Sequence, residues 1–238
     1  MKNKFWIISV PTYSMIIFII LNIIAMVFYP GGNLNNPEQV GYFFSYNFFS
    51  DLGRTVSHSQ DNNMISCILF NSSLCVVAFT FMMLFLTIKN LFSEYHVLSI
   101  VATSLGVLGS ISFVGVALTP SDLYLDSSGN PWLHIIFAHW IFRLLSAVSI
   151  IYSILIIKTK NFDNKYAYNF IVFGVIILAY VLYSELYLKD PRIFPEYLIN
   201  HVLSQKMVVL WIIISIYIYS IGVGEYLLNK NDESKKTR

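Results

Sequence analysis

The chain has 238 residues, of which 56% are hydrophobic and only 12% charged. A soluble domain carries about 25% charge, so this chain lacks the polar residues to cover a water-facing surface, and a mean hydropathy of +0.65 points the same way. The net charge of +2 is too small to call for nucleic acid as a partner.

A membrane-crossing helix needs roughly 20 mostly apolar residues. Six stretches qualify: 5–29, 64–88, 97–119, 134–157, 170–188 and 207–228. In lipid every backbone polar group must be satisfied within the segment, so each stretch is expected to be a helix. The sequence therefore predicts an all-α protein, one bundle of six transmembrane helices over 1–238, with no soluble domain. The charged end NKNDESKKTR, 229–238, has the composition of a disordered tail.

The first stretch follows Lys2 and Lys4, as a signal peptide would. It is too long for a signal h-region, and Tyr29-Pro30-Gly31 is no small-x-small cleavage site, so it is read as a retained helix. Pro11 lies in its first turns, where a missing N–H costs little. Next comes FFSYNFFSDLGRTVSH, 43–58. Tyr42, Phe43, Phe44, Tyr46, Phe48 and Phe49 match the aromatic belt of a membrane–water boundary. The polar residues after them are expected to fold back over the helices through a tight turn at Gly53. That would bring Asp51 and Arg54 to the mouth of the bundle, near Asp122 and His134. The competing reading makes Ser50 or Asp51 the cap of a short interfacial helix.

In the second stretch Cys67 and Cys75 form no CxxC or zinc spacing and are expected to be buried apolar groups. Asn71-Ser72-Ser73 matches a glycosylation sequon, but within a membrane it is inaccessible, so Asn71 is expected to bond between helices. Ala102, Gly106, Gly109, Ser110 and Gly115 give the third stretch a small-residue packing face. In the fourth, His139 and Arg143 are four apart and share a helix face, whereas His134 and His139, five apart, do not make a metal pair. Glu185, one turn from the end of the fifth, is the natural partner of Arg143. Such a pair either specifies the fold or borders a polar cavity where the arginine fork holds an anionic group.

Orientation follows from Lys and Arg. Ten fall at the N-terminus, in the second and fourth connections and in the tail, against four in the connections of the opposite set, Arg54, Lys189, Arg192 and Lys206. The positive-inside rule then places both termini in the cytoplasm of an integral cell-membrane protein. No P-loop, GxSxG, HExxH or GxGxxG motif is present, and no cofactor is implied.

Four motifs occur in order: SDLG at Ser50–Gly53, Asn71, GVALTPSD at Gly115–Asp122, and His134. In this order the chain resembles the prokaryotic membrane family known as domain of unknown function 998, similar to the DRAM-like and Frag-like six-helix proteins. The first four stretches carry the resemblance, which implies an architecture and no activity. A second similarity is to membrane hydrolases of the alkaline ceramidase and adiponectin-receptor type. It would give Ser50, Asp51, His134, His139 and His201 roles around zinc, but their paired HxxxH pattern is missing here.

The sequence thus supports first a non-enzymatic membrane protein whose polar pocket faces away from the cytoplasm. Its ligand-binding candidates are Asp51, Arg54, Asn71, Asp122, His134, His139, Arg143 and Glu185. Its partners are membrane lipids, through a headgroup, or a small anionic ligand. The alternatives are a zinc-dependent lipid hydrolase and a small-molecule transporter, the latter weakened by the absence of matching Gly/Pro-broken helices.

Overall fold

The computed structural model describes residues 5–160 and 162–236, with side chains through Leu227. The chain is mostly helical. A π-turn, Phe5–Ser9, leads into α1 (Val10–Phe28), with Pro11 in the first turn, where it removes no needed donor. Helices α2 (Met64–Ile88) and α3 (His96–Leu118) are joined by a 3-10 turn, Lys89–Tyr95. Helices α4 (Trp132–Lys158), α5 (Lys165–Leu186) and α6 (Leu198–Lys236) follow. The expected tail from 229 onward falls where side chains lie outside the described residues.

Five helical segments are long and apolar enough to cross a membrane: Phe5–Phe28, Met64–Leu118, Trp132–Lys158, Lys165–Leu186 and Pro195–Leu227. The 55-residue Met64–Leu118 segment is not straight. Phe92 leaves helical geometry (φ −109°, ψ 36°), and α2 and α3 pack side by side, so the chain reverses there.

Each helix packs on the next in sequence, and α6 returns to α1, closing a ring. The small face of α3 does its expected work. A Cβ on Gly106 would stand 2.5 Å from the ring of Phe85 in α2, and one on Gly115 would stand 2.3 Å from the ring of Phe137 in α4. These glycines let neighbouring helices approach closely.

Three features depart from the expectations drawn from the sequence. A β-hairpin follows α1, with strands β1 (Gly31–Asn33) and β2 (Asn36–Val40) pairing antiparallel. Its turn is set by the Asn33 carboxamide, which accepts from the N–H groups of Asn35 and Asn36. Second, α6 begins at Leu198, well before Met207, so Lys206 belongs to a helix and not to a loop. Hydropathy registers apolar runs, whereas backbone hydrogen bonding carries a helix on through polar turns. Third, Cys67 is buried but Cys75 is exposed on the outer surface of α2.

At the end of the ring bearing the α2–α3 and α4–α5 connections, aromatic rings fill the interior. Tyr152 stacks on Phe85 at 6.0 Å and meets Phe92, Phe170 and Tyr219 within 6.1 Å. Phe162 stacks on Tyr226 at 4.8 Å. Tyr152, Phe92 and Tyr219 are at most 1% exposed.

Candidate functional site: a polar roof over an apolar cavity

The opposite end is closed by the chain between α1 and α2. A 3-10 helix, Phe49–Gly53, lies across it. Asp51, only 4% exposed, caps this helix: its Oδ2 accepts from the Phe48 N–H at 2.9 Å and from Asn47 Nδ2 at 3.2 Å. Its Oδ1 lies 3.1 Å from His58 Nε2. Asn47, fully buried, donates to Gly32 O at 2.7 Å and accepts from Gln39 Nε2 and the Phe43 N–H. It thereby ties the hairpin to the aromatic stretch. Asn63, at the start of α2, donates to the carbonyls of Leu52 and Arg54. Buried polar groups of this kind are costly unless paired; all of these but Asn63 Oδ1 are paired, and the bonds tie the segment down as a roof.

Gly53 is needed for contact and not for a turn. It is absent from the residues with positive φ, yet a Cβ there would lie 2.7 Å from Phe70 and 2.9 Å from Asn71 Oδ1. Its carbonyl accepts from Cys67 Sγ at 3.2 Å and from Asn71 Nδ2 at 3.3 Å. Asn71 therefore holds the roof to α2, whereas a polar bond between helices is made by Asn22 Nδ2 to Ser73 Oγ at 3.1 Å.

Asp122, in the α3–α4 connection, receives the N–H groups of Thr55 and Val56 and the Thr55 hydroxyl. Burial pushes its carboxyl upward, but these bonds outweigh it and hold the group below the usual carboxylate range. Burial, reinforced by nearby Asp51, raises the Tyr29 and Tyr42 hydroxyls far above the ordinary tyrosine range. Tyr42 donates to the carbonyls of Asn47 and Phe48.

From α6, Lys206 reaches into the roof. It is 5% exposed, donates to the carbonyls of Phe44 and Asn47, and sits over the rings of Tyr42, Phe44 and Phe49 at 5.1, 4.3 and 5.4 Å. Carbonyl dipoles and ring faces replace its water shell. Of the aromatic stretch, Phe43, Phe44 and Tyr46 are exposed, whereas Tyr42, Phe48 and Phe49 are half-buried.

Beneath the roof lies a cavity of about 90 Å³, walled by α1, α2, α3, α4 and α6. Phe18, Phe70, Phe113, Phe142 and Ile212 form much of its apolar surface. At the roofed end it meets three polar side chains: Ser50, His134 and Gln205. His134 is buried, with Nδ1 2.7 Å from Thr119 O. Gln205 Oε1 accepts from the Phe49 N–H at 3.3 Å.

The eight residues singled out in the sequence thus fall into two groups. Asp51, Arg54, Asn71, Asp122 and His134 come together at the roofed end. Asp51, Asn71 and Asp122 build the roof, Arg54 bonds Val56 O at 3.0 Å, and His134 borders the cavity. Arg143 and Glu185 form the expected ion pair, at 38% and 41% side-chain exposure on the outer surface between α4 and α5. His139 is exposed beside them and feels both charges. The residues that sequence reasoning passed over are Asn47, Asn63, Gln205 and Lys206. Only Lys206 carried a signal, a charge abutting an apolar run.

Zinc does not fit these residues. His134 leaves its Nε2 open, but His139 is exposed away from it and His201 Nε2 lies 3.0 Å from Lys189 O. Among the described residues, no three His, Cys, Asp or Glu side chains are placed to hold a metal ion.

Comparison with family models, with curated proteins and with solved structures finds no match.

Proposed function

We propose that the chain is an integral membrane protein that crosses the bilayer six times and binds a membrane-derived lipid in the cavity beneath its roof. Helix lengths and the reversal at Lys89–Tyr95 support six crossings. The ten-to-four distribution of Lys and Arg supports cytoplasmic termini in the cell membrane. The motif resemblance to the family of domain of unknown function 998 agrees with this architecture. Cysteines placed at Ser127 and at Lys160, both exposed, test the orientation in intact cells. An impermeant thiol reagent labels the first and not the second; the reverse pattern moves the roof to the cytoplasm.

The observation that carries lipid binding is the cavity itself. Interiors are close-packed, and this one is open where apolar walls meet polar side chains. Its size selects the ligand's shape. Ligand pockets commonly hold roughly 300–1,000 Å³, so about 90 Å³ excludes a two-chain lipid and encloses only the first few carbons of one slender chain. Native mass spectrometry of the purified protein tests the reading. Wild type retains a single-chain lipid. Ala138→Phe, which fills the cavity from α4, releases it without lowering the melting temperature. Val209→Phe does the same from α6. Equal retention in wild type and both variants overturns the proposal.

The Arg143–Glu185 pair supports a second, separate contact, with anionic lipids of the surrounding bilayer. An ionised pair facing hydrocarbon is expensive, and an anionic headgroup beside Arg143 and His139 supplies polar cover. Arg143→Gln then lowers the share of anionic lipid that co-purifies; an unchanged share removes this contact.

A further inference from the structure

The proposed ligand can be narrowed by the hydrogen-bonding groups that the cavity leaves unused, an argument that rests on the lipid-binding reading above. His134 Nδ1 faces a carbonyl oxygen, which only accepts, so this nitrogen carries the proton. In the neutral ring Nε2 is then an acceptor, and it has no hydrogen-bond partner among the described residues. The Ser50 hydroxyl, which donates and accepts, likewise makes no hydrogen bond among them. Gln205 spends its oxygen on the Phe49 N–H and leaves its amide N–H groups as donors.

All three side chains line one cavity, and none is an ion in this form. Of the charged groups nearby, none lines the cavity, and Arg54 gives its Nε–H to Val56 O. Asp51 is held by Phe48, Asn47 and His58, and Lys206 by two carbonyls and three rings. A carboxylate or phosphate in this cavity would lie against apolar walls with no cationic side chain lining it, which is costly. A hydroxyl suits the three groups: it donates to His134 Nε2 and accepts from Gln205 or Ser50. We infer that the cavity beneath the roof is a binding site for the hydroxyl end of a single-chain lipid alcohol, with the hydroxyl held by Ser50, His134 and Gln205 and the first few carbons between Phe70, Phe113 and Phe142.

The full chain is placed in phosphatidylcholine nanodiscs with hexadecanol carrying a diazirine within a few carbons of its hydroxyl, and in parallel with the hexadecanoic acid and hexadecyl phosphate bearing the same group at the same position. Cross-links are mapped by mass spectrometry. The alcohol is expected to label residues between Phe70 and Val77, and between Ala138 and Phe142. This labelling is expected to exceed that of the acid and the phosphate, and excess unlabelled hexadecanol suppresses it. Losing one hydrogen bond to the hydroxyl weakens labelling about fivefold, so Ser50→Ala and His134→Phe each show that loss; Ser50→Ala decides if His134→Phe fails to fold. Acid or phosphate labelling at least equal to the alcohol's, with sensitivity to Ala138→Phe, overturns the alcohol assignment and leaves the lipid cavity standing. Labelling by no probe, or labelling that Ala138→Phe does not change, removes both, with water bridging the three polar groups instead.

Discussion

The two ends of the helix ring are closed in different ways. At the end bearing the α2–α3 and α4–α5 connections, side chains from around the ring meet in the middle: Phe85, Phe92, Tyr152, Phe162, Phe170, Tyr219 and Tyr226 touch one another through their rings. At the other end the helices leave a cavity, and a segment of chain bridges it. A plug of buried rings opens only by breaking the core. A roof held by hydrogen bonds opens by exchanging them for water, each at a net cost of roughly 1 kcal/mol. For the proposed lipid, entry is then through the roofed end, since opening the aromatic end exposes buried core rings.

The largest effect that would break this contrast is expected at Tyr152. Truncation to Ala at the centre of the plug is expected to cost about 3–5 kcal/mol. Val77→Ala, beside an existing cavity, leaves neighbours that already lack contacts and costs less. Denaturant unfolding in detergent measures both, and equal losses would erase the distinction between the ends.

Next in size is Asp51→Ala, which strands the buried Asn47 amide and the Phe48 N–H and is expected to cost about 2–3 kcal/mol. Asp51→Asn keeps one acceptor for these donors and turns an amide toward His58, whose ring can accept in its other tautomer, so the loss falls to about 1 kcal/mol. Proteolysis within 43–58 follows the same order if this segment is the weaker closure. Protection equal to wild type in the Ala variant would show that the roof does not depend on Asp51.

The Arg143–Glu185 pair belongs to neither closure. Because both side chains are more than a third exposed, Arg143→Met is expected to cost only about 1 kcal/mol in detergent. Arg143→Met with Glu185→Gln recovers much of that, since no charge is left unpaired. Absence of rescue would mean that the two side chains act independently.

The smallest effect is expected at Asp122, and it depends on pH. Its folded carboxyl titrates below the unfolded value of about 3.9. The stabilisation is therefore complete above the unfolded value and is lost as pH falls through the lower, folded one. Wild type loses more stability than Asp122→Asn between pH 5 and pH 2, by about 1 kcal/mol or less. Parallel curves would show that the bonds from Thr55 and Val56 hold nothing in place.

The sequence by itself determined the helices, because long apolar runs offer the backbone no polar side-chain partners and a helix satisfies it within the segment. It also determined the Arg143–Glu185 pair, because ionisable groups stranded in apolar runs have few partners, and it brought Asp51, Arg54, Asp122 and His134 to one end, because alternating helices return their connections to the same side. Tertiary structure alone decided what those residues do there. Asp51, Asn71 and Asp122 are spent on building the roof, a role set by partners up to 67 residues away that no local pattern shows. The β-hairpin rests on short polar side chains bonding their own turn, without the alternating apolar pattern that marks a strand in sequence. The cavity is the least legible feature of all. It is the space that side chains on five helices fail to fill, and a void has no residues of its own to announce it.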